Sequence, residues 1–327
     1  MRIHIQTPAD DTEFGFTPAQ FATAAAAAGE PPYSLSFGHT PEDFAAVADQ
    51  VELLIGSTPL LKPLRFGALA AATSLRLIFV NAAGVDGLSP FGWLPDGVTL
   101  LNNRGTHANK AGDFIVMAAL MLSTGMPGML AAQRDARWQP AFSPPLATRR
   151  VTLLGTGDLG SAGARALGKL GVQVTGVRRS AAPHPDFAAV HDTAALDALL
   201  PETGILVLAC PLTPDSAGVL SRARIALLPQ GAGVVNIGRG RLADQDALCD
   251  ALESGHLGGA VLDVFDPEPL PAEHRIWRTR NLIATPHISC DDPASYNPRS
   301  LAILFANLRA WRAGAALPNR VDTARGY

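Results

Sequence analysis

Short apolar runs alternate with longer mixed segments along almost the whole chain. Arg2–Gln6, Tyr33–Phe37, Val51–Ile55, Leu75–Val80 and Val98–Leu101 read as strands. Helices fit between them at Pro18–Ala28, Pro41–Ala48 and Pro63–Ala71, the first rich in alanine, the best helix former. A long apolar helix follows at His107–Thr124. Its Phe114, Ile115, Met117, Leu120 and Met121 fall on more than one face, so it is expected to be buried all round. A Pro-rich connection spans Trp138–Pro145. Alternation then resumes with strand Arg150–Leu154, helix Leu159–Leu170, and strands Val172–Val177, Ile205–Leu208, Gly233–Ile237, Gly259–Leu262 and Leu282–Ala284. A last helix is expected near Arg299–Ala313, ending at Gly314. Such βα alternation predicts two α/β units, each a parallel sheet covered by helices.

The second unit opens with a phosphate-binding signature. Strand Val151–Leu154 runs into Gly155-Thr156-Gly157-Asp158-Leu159-Gly160, and an apolar helix pattern follows. In a G-x-G-x-x-G turn the first glycine makes the bend, the second admits the pyrophosphate, and the third lets helix and strand pack closely. The helix N-terminus adds free N–H groups and a positive dipole end. The next strand ends at Val177-Arg178-Arg179-Ser180. An acid there would accept bonds from the ribose of NAD, whereas arginine suits the 2′-phosphate of NADP. NADP is therefore the expected cofactor, with NAD the second candidate.

Composition narrows the class. The chain has 327 residues, 47% of them apolar, enough for two domains with real cores. A net charge of −3 offers no footprint for nucleic acid or an anionic membrane. The three cysteines, Cys210, Cys249 and Cys290, form neither a CxxC pair nor a zinc spacing, and no metal site is expected. The N-terminal MRIHIQTPAD lacks the apolar core of a signal peptide, and no apolar run reaches ~18 residues. A cytoplasmic setting is expected.

Three later segments carry candidate chemistry. Val234–Ile237 delivers Arg239 at the end of a strand, where ligands gather in open α/β sheets. A guanidinium fork suits a carboxylate; Arg241 is the neighbouring alternative, better placed as a surface residue. In Leu262-Asp263-Val264-Phe265-Asp266-Pro267-Glu268-Pro269, two prolines stiffen the loop around Glu268. An ordinary exposed acidic loop would also accommodate Asp263 and Asp266. Finally, Thr285-Pro286-His287 presents a histidine at the end of a strand, the natural general acid near neutral pH.

Taken in order after the glycine-rich turn, VNIGRGR, LDVFDPEPL and TPHIS resemble the D-isomer-specific 2-hydroxyacid dehydrogenase family. Val80–Asp86 is similar to that family's glycine-rich substrate loop, Ala209–Pro214 to its loop over the cofactor, and Asn307-Leu308 and Asn319–Asp322 to its tail. The resemblance implies two Rossmann-like domains. A nucleotide domain, residues 107–286, is inserted into a discontinuous substrate domain, residues 1–106 and 287–327. It also implies roles. Arg239 would hold the carboxylate and carbonyl oxygen of a 2-oxo acid, His287 would protonate that oxygen, and Glu268 would keep His287 charged. Backbone N–H groups near Ala83 and Gly84 would grip the carboxylate. Cys210, Pro211, Thr213, Ile237 and Asp263 would line the cofactor site together with the glycine-rich turn and Arg178–Ser180.

The expected activity is reduction of a small 2-oxo acid, such as glyoxylate or hydroxypyruvate, to the D-2-hydroxy acid. The alternative is a dinucleotide-sensing binding protein, like the corepressors of the family. Family members dimerise through the region of the long helix, so a homodimer is expected. The sequence departs from the family at Asp113, where many members carry Glu, and at Ser289–Asp292, where small residues are usual.

Overall fold

The apolar runs of the first hundred residues become five parallel strands: β1 (Arg2–Gln6), β2 (Ser34–Gly38), β3 (Leu53–Gly56), β4 (Leu77–Val80) and β5 (Thr99–Leu101). They are ordered β2-β1-β3-β4-β5. Helices α1 (Pro18–Ala27), α2 (Pro41–Ala45) and α3 (Thr58–Leu64) connect them. Both α1 and α2 start at a capping box, Thr17 with Gln20 and Thr40 with Asp43, which satisfies N–H groups that the helix leaves open. The computed structural model describes residues 1–11, 13–64 and 67–327. The helix expected at Pro63–Ala71 instead begins at Thr58; residues 65 and 66 lie outside the described residues, and Ala68–Ala71 forms a 3-10 turn.

The second sheet has seven parallel strands: β6 (Val151–Leu154), β7 (Val174–Val177), β8 (Ala189–His191), β9 (Ile205–Leu208), β10 (Ala232–Asn236), β11 (Leu257–Leu262) and β12 (Leu282–Ala284). Their order is β12-β11-β10-β9-β6-β7-β8. The direction of winding reverses between β6 and β9, the point at which open sheets of this kind bind ligands beyond their carboxyl ends. Helices α4 (Ala108–Ser123), α5 (Met126–Arg134), α6 (Asp158–Gly168), α7 (Leu196–Leu199), α8 (Arg222–Leu227) and α9 (Gln245–Glu253) cover it. The chain then forms α10 (Pro293–Arg312). This helix starts well before the expected Arg299, because Asp292 caps the N–H of Ala294 and Pro293 occupies the first turn, where a missing N–H costs nothing. Both sheets are Rossmann-like.

The chain divides into two compact units, Met1–Thr106 with Asp292–Tyr327, and His107–Asp291. The second crossing lies at 291/292 rather than the expected 286/287. Residues 287–291 stay with the seven-stranded sheet because the buried Asp263 carboxylate holds the backbone of Ile288 and Ser289.

Helix α4 is not buried all round. Ala111, Phe114, Ile115, Ala118 and Ala119 enter the core, but Met117 and Leu120 are about 40% exposed (40% and 42%). With Asp113, Val116, Met121, Thr124 and Met126 they line a surface hollow. Among the described residues no single helix is long and apolar enough to cross a membrane.

Candidate active site

Gly155 ends β6 with a φ of +106°, a conformation that favours glycine, and a Cβ there would lie 2.7 Å from the Ala209 carbonyl carbon and the Cys210 nitrogen. The ends of β6 and β9 thus meet backbone to backbone at the switch point. Gly160 packs against Gly155, whose carbonyl oxygen would be 1.9 Å from an added Cβ. Gly157 is different: nothing lies within 4 Å of its would-be Cβ, and it caps α6 with no side chain. Asp158 is exposed and Leu159 half-buried in the first turn of this helix. Open space above uncapped helix N–H groups fits a pyrophosphate.

Arg178 lies over this turn. Its Nη1 is 3.5 Å from Thr156 Oγ1, and its Nε donates to the Ser180 carbonyl at 3.1 Å, with Ser180 Oγ 3.3 Å away. Arg179 and Ser180 are exposed. Thr213 closes a hydroxyl-bonded turn with Ser216, so the loop carrying Cys210, Pro211 and Thr213 has a defined shape. Burial pushes the Cys210 thiol up to about 12, which removes it as a nucleophile at neutral pH. Ile237 is 3% exposed and packs in the core with Leu153 and Ala209 beneath the turn.

The three catalytic candidates come from three strand ends of one sheet. His287 has a φ of +55°, a region few residues other than glycine adopt and where functional strain concentrates. Its ring Nδ1 is 2.8 Å from Glu268 Oε2. The other carboxylate oxygen, Glu268 Oε1, accepts the Phe265 N–H at 2.7 Å. Glu268 is therefore held at one oxygen and offers the other to the imidazole, leaving Nε2 of His287 for a substrate. The Glu268 bond outweighs burial and raises the pKa of His287 above the ordinary histidine range. For Glu268, burial pushes up, but the His287 and Phe265 hydrogen bonds prevail and its pKa is lowered. Arg239 is half-buried, and its Nη1 donates to the Gly238 carbonyl at 2.7 Å. Arg241 is exposed, 3.9 Å from Asp266.

Several supports escaped the sequence reading. Asp263, expected either to line the cofactor site or to lie in an exposed acidic loop, has neither carboxylate oxygen open. It is fully buried, and its Oδ1 accepts from Thr285 Oγ1 (2.5 Å) and the Ile288 N–H (2.9 Å), its Oδ2 from the Ser289 N–H (2.9 Å). It fixes the turn that presents His287. Asn236, 2% exposed, does the same for Arg239: its Nδ2 donates to the Arg239 carbonyl and its Oδ1 accepts the Gly238 N–H. Gly240 has no room for a side chain, since a Cβ would lie 2.0 Å from the Phe265 carbonyl carbon. That contact brings the Arg239 turn directly against the Glu268 loop. A buried strand-end asparagine and a glycine after an arginine were the available signals.

His107 Nδ1 lies 3.5 Å from Asp291 and 3.2 Å from the Cys290 carbonyl. Burial pushes the Cys290 thiol up to about 11, so it too is inert at neutral pH. Ala83 and Gly84 are half-buried in the loop after β4, in the other unit. Among the described residues no group of three or more His, Cys, Asp or Glu side chains is placed to hold a metal.

Comparison with known proteins agrees with this chemistry. The family model described as D-isomer specific 2-hydroxyacid dehydrogenase, NAD binding domain, matches residues 116–289. The chain is 29% identical to glyoxylate/hydroxypyruvate reductase A of Yersinia enterocolitica, over 79% of this chain and 84% of that one. The crystal structure of a D-isomer specific 2-hydroxyacid dehydrogenase from Xanthobacter autotrophicus Py2, in complex with NADPH and MES, superimposes with a TM-score of 0.83 at 30% identity, covering 100% of this chain and 99% of that one. An NADPH-dependent glyoxylate/hydroxypyruvate reductase from Sinorhizobium meliloti, in complex with NADP and sulfate, gives 0.80 at 27% identity, covering 100% and 99%. With a switch-point glycine turn and an anchored Glu268–His287 pair on the same sheet, the chain belongs to the D-isomer specific 2-hydroxyacid dehydrogenase family.

Proposed function

We propose that the protein is an NADPH-preferring reductase of small 2-oxo acids of the glyoxylate or hydroxypyruvate type, forming the D-2-hydroxy acid. The observation that carries this reading is the Glu268–His287 pair, anchored at 2.8 Å beside the Arg239 turn. When bound, the nicotinamide ring supplies the hydride that C2 of the substrate receives. His287 Nε2 gives its proton to the carbonyl oxygen, so the product leaves as an alcohol. Glu268 holds that proton on the ring until it is needed, because a nearby anion favours the imidazolium. Arg239 binds the substrate carboxylate and carbonyl oxygen, and the N–H groups of Ala83 and Gly84 bind the carboxylate as well. The names of the Yersinia and Sinorhizobium relatives support the substrate class.

The cofactor preference rests on Arg178–Ser180. Arg178 already bonds Ser180 and reaches the glycine-rich turn, so a 2′-phosphate there meets a pre-assembled set of donors. Charge-assisted contacts of that kind are each worth ~1.5–3 kcal/mol, a factor of roughly ten or more in affinity. We expect kcat/KM for NADPH to exceed that for NADH by about tenfold or more. Replacing both Arg178 and Arg179 by Ala erases most of that gap by raising KM for NADPH. Steady-state rates on glyoxylate, hydroxypyruvate, pyruvate and phenylpyruvate, with both cofactors, test the substrate class and the preference together. Equal use of NADH by the unmodified enzyme would falsify the cofactor reading.

We also infer a homodimer in the cytoplasm. The uncovered face of α4, with Met117 and Leu120, and the strongly exposed Trp138 (96%) and Phe142 (97%) support a partner surface for a second copy. All three cysteines are free, which suits a reducing compartment. Sedimentation at micromolar concentration is expected to give twice the chain mass; a monomer mass removes the dimer.

A further inference from the structure

The loop after β4 is held by its carbonyls. Tyr296, in the first turns of α10, donates its hydroxyl hydrogen to the Asn81 carbonyl oxygen. The N–H of Asn103 donates to the Ala82 carbonyl at 3.1 Å. Asn102 Nδ2 donates to the Ala83 carbonyl at 2.9 Å. Three consecutive carbonyls thus each receive a donor, and the donors come from two segments far apart in the sequence.

This has a geometric consequence. In a planar trans peptide, the C=O of one residue and the N–H of the next point in opposite directions. Pinning the carbonyls of Asn81, Ala82 and Ala83 therefore fixes the outward direction of the N–H groups of Ala82, Ala83 and Gly84. None of these three N–H groups has an acceptor among the described residues, and all three residues are only half-buried. Consecutive N–H groups left open are the raw material of an anion-binding nest.

The donors are themselves fixed. Tyr296 is 6% exposed, and its ring stands edge-on to Phe14 with centroids 4.9 Å apart. Asn102 is 3% exposed and its N–H donates to the Asn319 carbonyl at 3.0 Å. Asn319 in turn exchanges two 3.0 Å bonds with Asn307 of α10. A chain of buried asparagines thus ties Asn102 to the same helix that carries Tyr296.

We propose that Tyr296 and Asn102 are positioning residues for the 2-oxo acid: they hold the Asn81–Gly84 loop so that the N–H groups of Ala82, Ala83 and Gly84 converge as a preformed nest for the substrate carboxylate. The proposal rests on the reading above in which this loop binds that carboxylate, and it adds Ala82 as a third donor. Neither side chain touches the substrate; each acts through a backbone carbonyl.

The test uses the full-length enzyme saturated with NADPH and oxamate, a non-reducible carboxylate probe. Tyr296→Phe keeps the ring and removes only the hydroxyl; Asn102→Ala removes the second tie and guards against a result peculiar to one site. Each is expected to raise KM for glyoxylate and Kd for oxamate about five- to tenfold, the effect of one weakened hydrogen-bonded contact. The kcat, its pH profile and KM for NADPH stay within about twofold in Tyr296→Phe, a split that general loss of structure does not produce. In the unmodified protein, oxamate is expected to shift the amide resonances of Ala82, Ala83 and Gly84. If those resonances do not move, the loop does not bind the carboxylate, and both that reading and this proposal fall. If they move while Tyr296→Phe binds oxamate as tightly as the unmodified enzyme, this proposal alone is overturned.

Discussion

Replacing His287 with Asn is expected to lower kcat for 2-oxo acid reduction by ~10²–10⁴-fold, the usual worth of a positioned general acid. Asn is the right replacement because His287 sits at a φ of +55°, and Asn tolerates that region where Ala adds strain. The change therefore removes the proton donor with little disturbance of the turn that Asp263 holds. KM for NADPH is expected to stay near its original value. A companion change reads the pair rather than the single residue. Glu268 raises the pKa of His287, and reduction needs the imidazolium. In Glu268→Gln that support is lost, the ring loses its proton at lower pH, and the alkaline limb of kcat/KM moves to lower pH. A His287→Asn enzyme within tenfold of the original rate, or an unmoved alkaline limb in Glu268→Gln, would remove the pair from the chemistry.

Arg239→Lys is expected to cost ~10–100-fold in kcat/KM for 2-oxo acids. Lysine keeps the charge but loses the fork that binds two oxygens at once, and charge-assisted bonds of this kind are worth ~1.5–3 kcal/mol. Asn236 holds the backbone of the Arg239 turn at two points and the guanidinium adds one bond to the Gly238 carbonyl, so most of the loss falls on substrate rather than on folding. Melting temperature and NADPH affinity serve as controls. Nearly unchanged kcat/KM in Arg239→Lys would mean that a single positive charge, not a bidentate clamp, is what the substrate meets.

Much of this molecule is legible from local pattern. The short apolar runs become strands within about two residues of their expected ends, because a parallel strand buried on both faces admits little but apolar side chains. The glycine-rich turn, Arg239, Glu268 and His287 stand out because their chemistry is carried by residue type and by position at strand ends. Errors came where the deciding partner is distant in sequence. Helix α10 begins at an Asp292 cap that periodicity does not reveal, and β8 is three residues at a sheet edge with no pattern of its own. Within one chain α4 leaves Met117 and Leu120 exposed, against expectation, because composition counts apolar residues without saying which neighbour covers them.

What the sequence determined by itself is the class of fold and the kind of chemistry, since both follow from hydrophobic period and from side chains at spaced positions. Which groups hold those side chains in place was decided only in three dimensions. Asp263 reads as a lining residue of the cofactor site or as one acid of an exposed loop; it is instead buried, with both its oxygens committed to the turn bearing His287. Gly240 gained meaning from a backbone that lies too close for any Cβ, and Tyr296 from a carbonyl 215 residues away along the chain. Hydrogen-bond direction and close approach depend on pairs of segments brought together by packing, so no reading of one segment at a time contains them.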